Sequence, residues 1–69
     1  MANFDFHELG NALKAQAEGE NITELCKEMG INRMTFYRIL RGDVLTLKNV
    51  IKIMKYLEKG GYKFDDFLK

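Results

Sequence analysis

Apolar positions along the chain recur at helical spacing in short blocks separated by polar and glycine-containing breaks. Phe6, Leu9, Ala12, Leu13 and Ala17 predict a first helix from about Asp5 to Ala17, with Asp5 placed to cap it and Gly10 a weak point inside it. The run "EGEN" interrupts the pattern. Asn21 followed by Glu24 reads as a capping box, opening a second helix, Ile22 to Met29, that Gly30 ends as a left-handed cap. Asn32 caps a third helix, which Gly42 ends after Arg41. Thr46 caps a fourth, Leu47 to Glu58, whose core side is expected to carry Leu47, Val50, Ile51, Met54 and Leu57, before Gly60 and Gly61. The tail "YKFDDFLK" forms either a short fifth helix, Phe64 to Leu68, or a brief strand at "YKF". The expected fold is therefore all-α: one compact domain of four to five helices over residues 1–69, with its core at about 5–60 and a tail at 61–69.

The join between the second and third helices is the most informative feature. A helix of eight residues cannot stand alone, because nucleating it costs more than so few hydrogen bonds return, so it needs a neighbour at once. Between the two lie only Gly30, Ile31 and Asn32. Glycine accepts the positive φ that a side chain resists, Ile31 can plug the space between the helices, and Asn32 restarts the chain in a new direction. This is a helix-turn-helix arrangement of helices 2 and 3. Close crossing also calls for a small residue in the first of the pair, and Cys26 fills that role as a structural, unreactive thiol.

Composition narrows the classes of function. With 69 residues, a lone core is only marginally stable, so a partner subunit is expected. One cysteine and one histidine provide neither an internal disulfide nor a tetrahedral metal site. His7 has no Asp–His–Ser or Glu–His constellation around it, and no glycine-rich phosphate loop is present. No catalytic residue, cofactor, metal or small-molecule substrate is expected, and the chain is read as not an enzyme. "MANFDFHELG" lacks the basic-then-apolar pattern of a secretory signal, and no stretch has the roughly 18 apolar residues that would span a membrane. A cytoplasmic location without membrane contact is the expectation.

The net charge of +1 says little; its distribution says more. Residues 1–30 are net −4, residues 31–63 net +6 and residues 64–69 net −1, so the basic charge forms one block starting at the third helix. An anionic partner for that side follows. Projection at about 100° per residue puts Phe36, Ile39 and Leu40 on one side of the third helix and Arg33, Met34, Tyr37, Arg38 and Arg41 on the other, an outward face expected to hold no carboxylate. In this motif the second helix docks in the major groove with its N-terminal residues over base edges. Arg33 can donate two hydrogen bonds to guanine, and Met34 can contact a thymine methyl group. Arg33, Met34, Tyr37 and Arg38 are thus the base-reading candidates. Asn32, Thr35 and Arg41 are assigned to positioning on the backbone. Lys48, Lys52, Lys55 and Lys59 share one side of the fourth helix; Lys48 and Asn49, near its start, suit phosphate, while Lys55 and Lys59 suit solvation.

Leu25, Cys26, Met29, Gly30, Ile31, Phe36 and Ile39, followed by "LTLKNVIKIMKYL", resemble helix-turn-helix repressors of the Cro and lambda-repressor-like (XRE) family. In that family these positions carry an apolar residue, a small residue, an apolar residue, the turn glycine and three further apolar residues. The same run is similar to the DNA-binding half of small addiction-module antidote proteins. The resemblance covers about residues 5–60 and implies a lambda-repressor-like domain that binds double-stranded DNA. The family often has glutamine where this chain has Ile22; Asn21 or Thr23 would then supply the bracing or phosphate contact. The leading expectation is a transcriptional repressor that binds a palindromic operator as a homodimer. The alternatives are an antitoxin autoregulating its operon, with a toxin as partner, and a helix-turn-helix domain turned protein-interaction module. Tyr62, Phe64, Phe67 and Leu68 are assigned either to the dimer contact or to closing the monomer's core.

Overall fold

Four short polar side chains start the four helices. In the computed structural model, which describes residues 3–69, Asp5, Asn21, Asn32 and Thr46 each accept a hydrogen bond from the backbone N–H three residues on, at 3.0, 3.2, 2.7 and 3.4 Å. Each thereby satisfies a donor that the first helical turn leaves free. The helices are α1 (Phe6–Gln16), α2 (Ile22–Met29), α3 (Arg33–Arg41) and α4 (Leu47–Lys59), followed by a 3₁₀ turn at Phe64–Phe67. Among the described residues there is no strand, and no helix is long and apolar enough to cross a membrane. Of the two alternatives for the tail, the short helix is the one that forms, as the 3₁₀ turn Phe64–Phe67, and the strand at "YKF" does not; an isolated antiparallel bridge joins Phe4 to Leu68.

α2 and α3 end in the same way. Gly30 and Gly42 take left-handed conformations, φ 73° and 84°, and the next residue turns back: the Ile31 N–H donates to Cys26 O (3.0 Å) and the Asp43 N–H to Arg38 O (3.1 Å). Both are Schellman caps, in which glycine avoids the clash that a Cβ would meet at positive φ.

The core lies where α1 and α2 pack against α3 and α4. Leu9 and Leu13 of α1, Leu25, Cys26 and Met29 of α2, Phe36 and Ile39 of α3, and Val50, Ile53, Met54 and Leu57 of α4 are buried there. Gly10 is more than a weak point. It is buried where α1 crosses α3, and a Cβ on it would overlap the carbonyl oxygen of Ile39, so close crossing requires glycine. The end of α1 is tied to α4 by Gln16, whose Nε2 donates to Tyr56 O at 2.7 Å while the Tyr56 hydroxyl donates to Gln16 O at 3.3 Å.

One expectation about packing is corrected, and one pair of alternatives is decided for Phe67. Leu47 and Ile51 do not face the core: they are 68% and 49% exposed, and Ile53 is buried in their place. The apolar arc of α4 spans roughly 160°, wider than the ~100° that neighbours on one side can cover, so one flank stays in solvent. Phe67, offered as a subunit contact, is 3% exposed and closes the monomer's core, stacking near Phe4 and Tyr62 with ring centroids 5.9 and 6.0 Å away. Tyr62 also packs on that core, and half-buried Leu68 is held by the bridge to Phe4. Of the four tail residues proposed for a dimer, Phe64 alone is exposed, at 42%.

Candidate nucleic-acid interface

α3 is anchored by Phe36 and Ile39, fully in the core, with Leu40 half-buried beside them. At 3.6 residues per turn this leaves Arg33, Met34, Tyr37, Arg38 and Arg41 on the outward side, and all five are exposed, as the sequence predicts. Met34 is 74% exposed, so its thioether is free to meet an apolar group of a partner. The Tyr37 ring stands edge-on to the buried Phe36 ring, centroids 5.9 Å apart at 86°, which steadies it without burying its hydroxyl.

The side chains at the start of the helix are braced from α2. Arg33 Nη2 donates to Thr23 Oγ1 at 3.1 Å, so Thr23 holds the guanidinium of a base-reading candidate. This is the bracing contact expected of Asn21 or Thr23. Asn21 takes a different part, its Oδ1 accepting from the Glu24 N–H as the cap of α2. The Asn32 Oδ1 likewise caps α3 by accepting from the Thr35 N–H, and half-buried Thr35 lies on the flank. Lys48 is exposed and Asn49 half-buried in the first turn of α4.

The lysines of α4 divide their work. Lys52 Nζ donates to Gly30 O at 3.0 Å, closing over the turn between α2 and α3, and Lys59 pairs with Glu28 at 2.7 Å. Lys48 and Lys55 have neither kind of partner among the described residues.

Sequence reasoning missed one residue of the surface. α3 carries no acid, but Asp43, just past its cap, folds its carboxylate back to the helix. Asp43 Oδ2 lies 2.8 Å from Arg41 Nη2 and 3.7 Å from Arg38 Nε. The expectation of an outward face free of carboxylates is corrected to that extent. The available signal was position: in a Schellman cap the residue after glycine folds back toward the last turn of the helix. Both arginines remain exposed, so the pairing leaves their outer donors accessible.

Cys26 is buried between the helices, and burial pushes its thiol above the ordinary value of 9.0, with the positive charge of Arg33 acting weakly in the opposite sense. An un-ionised buried thiol is a small apolar spacer, as the sequence reading has it. Among the described residues no group of His, Cys, Asp and Glu side chains is arranged to hold a metal ion.

Two short helices joined through a left-handed glycine, the second presenting a basic face outward, define a helix-turn-helix DNA-binding domain. The chain belongs to the family of the helix-turn-helix domain of resolvase, whose family model matches residues 7–43, from α1 through Asp43. Neither the curated proteins nor the solved structures give a match.

Proposed function

We propose that this domain is a sequence-specific regulator of transcription that acts in the cytoplasm without catalysis, by occupying double-stranded DNA as a homodimer. The observation that carries the reading is the outward face of α3, where Arg33, Met34, Tyr37 and Arg38 stand exposed on a helix fixed by its core side. Set in the major groove, Arg33 offers paired donors to a guanine edge and Met34 an apolar contact to a thymine methyl group. Tyr37 and Arg38 follow one turn on. Arg41, Lys48, Asn49, Thr35 and the amide groups of Asn21 and Asn32 meet the sugar-phosphate backbone and fix the register. A repressor of the Cro and lambda-repressor-like kind would then work by blocking access to its operator.

A second surface supports the pairing of two copies. Leu47, Ile51 and Phe64 form an apolar strip along α4 and the tail, flanked by Lys55 and Glu58. Lys55 and Glu58 lie on one side of α4, so an antiparallel pairing of two copies brings opposite charges together while covering Ile51 and Phe64. Two α3 helices about 34 Å apart would then read an approximately palindromic site.

The family match favours one further reading: a DNA-recognition unit serving a recombination protein, with the same contacts and no repressor role. Selecting bound duplexes from a random library tests both. A palindromic consensus with half-sites one helical turn apart supports the dimeric regulator. A single unpaired half-site supports the recognition unit. Absence of any enriched sequence, with duplex affinity insensitive to salt, would leave the reading without support and favour a protein-interaction module.

A further inference from the structure

The two Schellman caps share their backbone bonds but differ in the residue that follows the glycine. After α2, the position following the glycine is Ile31, which packs against the core. After α3, the equivalent position is Asp43, whose backbone is fixed by the same bond to the preceding helix but whose side chain returns to the outer face. A carboxylate is disfavoured there on two counts. The C-terminal end of a helix carries partial negative charge, which repels it. It also places a negative charge on the surface that is to meet a polyanion. Exposed ion pairs of this sort add little to folding stability, so stability does not account for it. Arg41 and Arg38 both reach a single oxygen, Oδ2, and the Asp43 side chain is 38% exposed.

We propose that Asp43 is a specificity-determining residue, which holds Arg38 and Arg41 and tempers their charge so that α3 discriminates among base sequences instead of gripping any phosphate. The proposal rests on the reading that α3 meets duplex DNA. The contact to Arg38 is an ion pair at 3.7 Å from Nε and not a hydrogen bond, so it leaves the guanidinium's donors uncommitted for a guanine edge, which accepts two of them. Partial neutralisation of two guanidiniums lowers the sequence-independent attraction that every duplex shares. Both effects widen the gap between the right site and the rest, and both belong to a residue that need not touch DNA.

The test compares the unmodified chain with Asp43→Asn and Asp43→Ala on a library-selected duplex and on random duplex, over a salt series. Both variants keep the backbone cap, and Asp43 is not part of the core, so folding is checked by thermal melting alongside. The expected result is tighter binding of random duplex, a salt slope steeper by about one, and a specific-to-random ratio lower by about tenfold. In an Arg38→Ala background, Asp43→Asn should no longer change the preference at the base pair that Arg38 reads. An unchanged ratio and slope in both variants overturns the proposal and leaves Asp43 a surface ion pair. A ratio that still falls by the same factor without Arg38 also overturns it. Failure of the unmodified chain to bind any duplex overturns the underlying reading, and is seen before the variants are compared.

Discussion

Gly10→Ala sets a helix-propensity gain against a packing loss, and the structure decides which is larger. Within an isolated helix, alanine is better than glycine by about 1 kcal/mol. Here the added Cβ would overlap the Ile39 carbonyl oxygen and lie 3.3 Å from that of Leu40. Both are backbone atoms of α3, so no side chain can rotate away; α1 and α3 must separate instead. Overpacking of this kind typically costs 1–3 kcal/mol, and a rigid neighbour places it at about 3, leaving a net loss of about 2 kcal/mol. For a domain of this size each 1 kcal/mol moves Tm by about 4–8 °C, so Tm should fall by about 8–16 °C. Thermal and urea unfolding followed by circular dichroism measure it. Ala15→Gly on the exposed side of the same helix is the control and should lose only the ~1 kcal/mol of propensity. A Gly10→Ala protein that melts at or above the parent temperature would refute the close crossing of α1 and α3.

Other substitutions probe the turn, the readout and the buried thiol. Gly30→Val should lose about 1–3 kcal/mol from backbone strain alone, because φ is 73° and the nearest atom to an added Cβ, Lys52 Nζ, is 4.0 Å away; an unchanged urea midpoint would disprove the left-handed turn. Arg33→Ala should lose about 1–3 kcal/mol on the selected site and relax one base preference, measured by competition among single-base variants; equal loss on every sequence would assign Arg33 to phosphate. Cys26 ionises less readily folded than unfolded, so its share of stability is full below its ordinary value of 9.0 and is lost as pH rises above it. Tyr56, raised by burial and then by Glu20 and Glu28, acts in the same sense above 10.0. Cys26→Ala should therefore flatten the alkaline loss of stability that sets in above pH 9.0 and leave the part that Tyr56 adds above 10.0; identical profiles would show that burial does not govern the thiol.

Local signals carried most of the fold. Asp5, Asn21, Asn32 and Thr46 cap as their chemistry and spacing imply, and Gly30 and Gly42 stop helices because positive φ is a property of the residue itself. What remained hidden was tertiary. Gly10 reads as a weak helical residue until Ile39, distant in sequence, is seen against it. Leu47 and Ile51 satisfy the same periodicity as Val50 and Met54, and only the neighbours of α4 decide which flank is covered. The outward face of α3 was legible because Phe36 and Ile39 fix its rotation, whereas the return of Asp43 depends on how the chain leaves the glycine. The tail was open between two roles, and Phe67 resolves to the core because the bridge between Phe4 and Leu68 draws it under α1.

The central claim is that the exposed side of α3 is the surface that seats in duplex DNA. Titrating ¹⁵N-labelled protein with a library-selected duplex, and following backbone amide signals, tests it residue by residue. The largest changes are expected at Asn32 to Arg41, with smaller ones at Lys48 and Asn49. Duplex binding that leaves the α3 amides unmoved would contradict it.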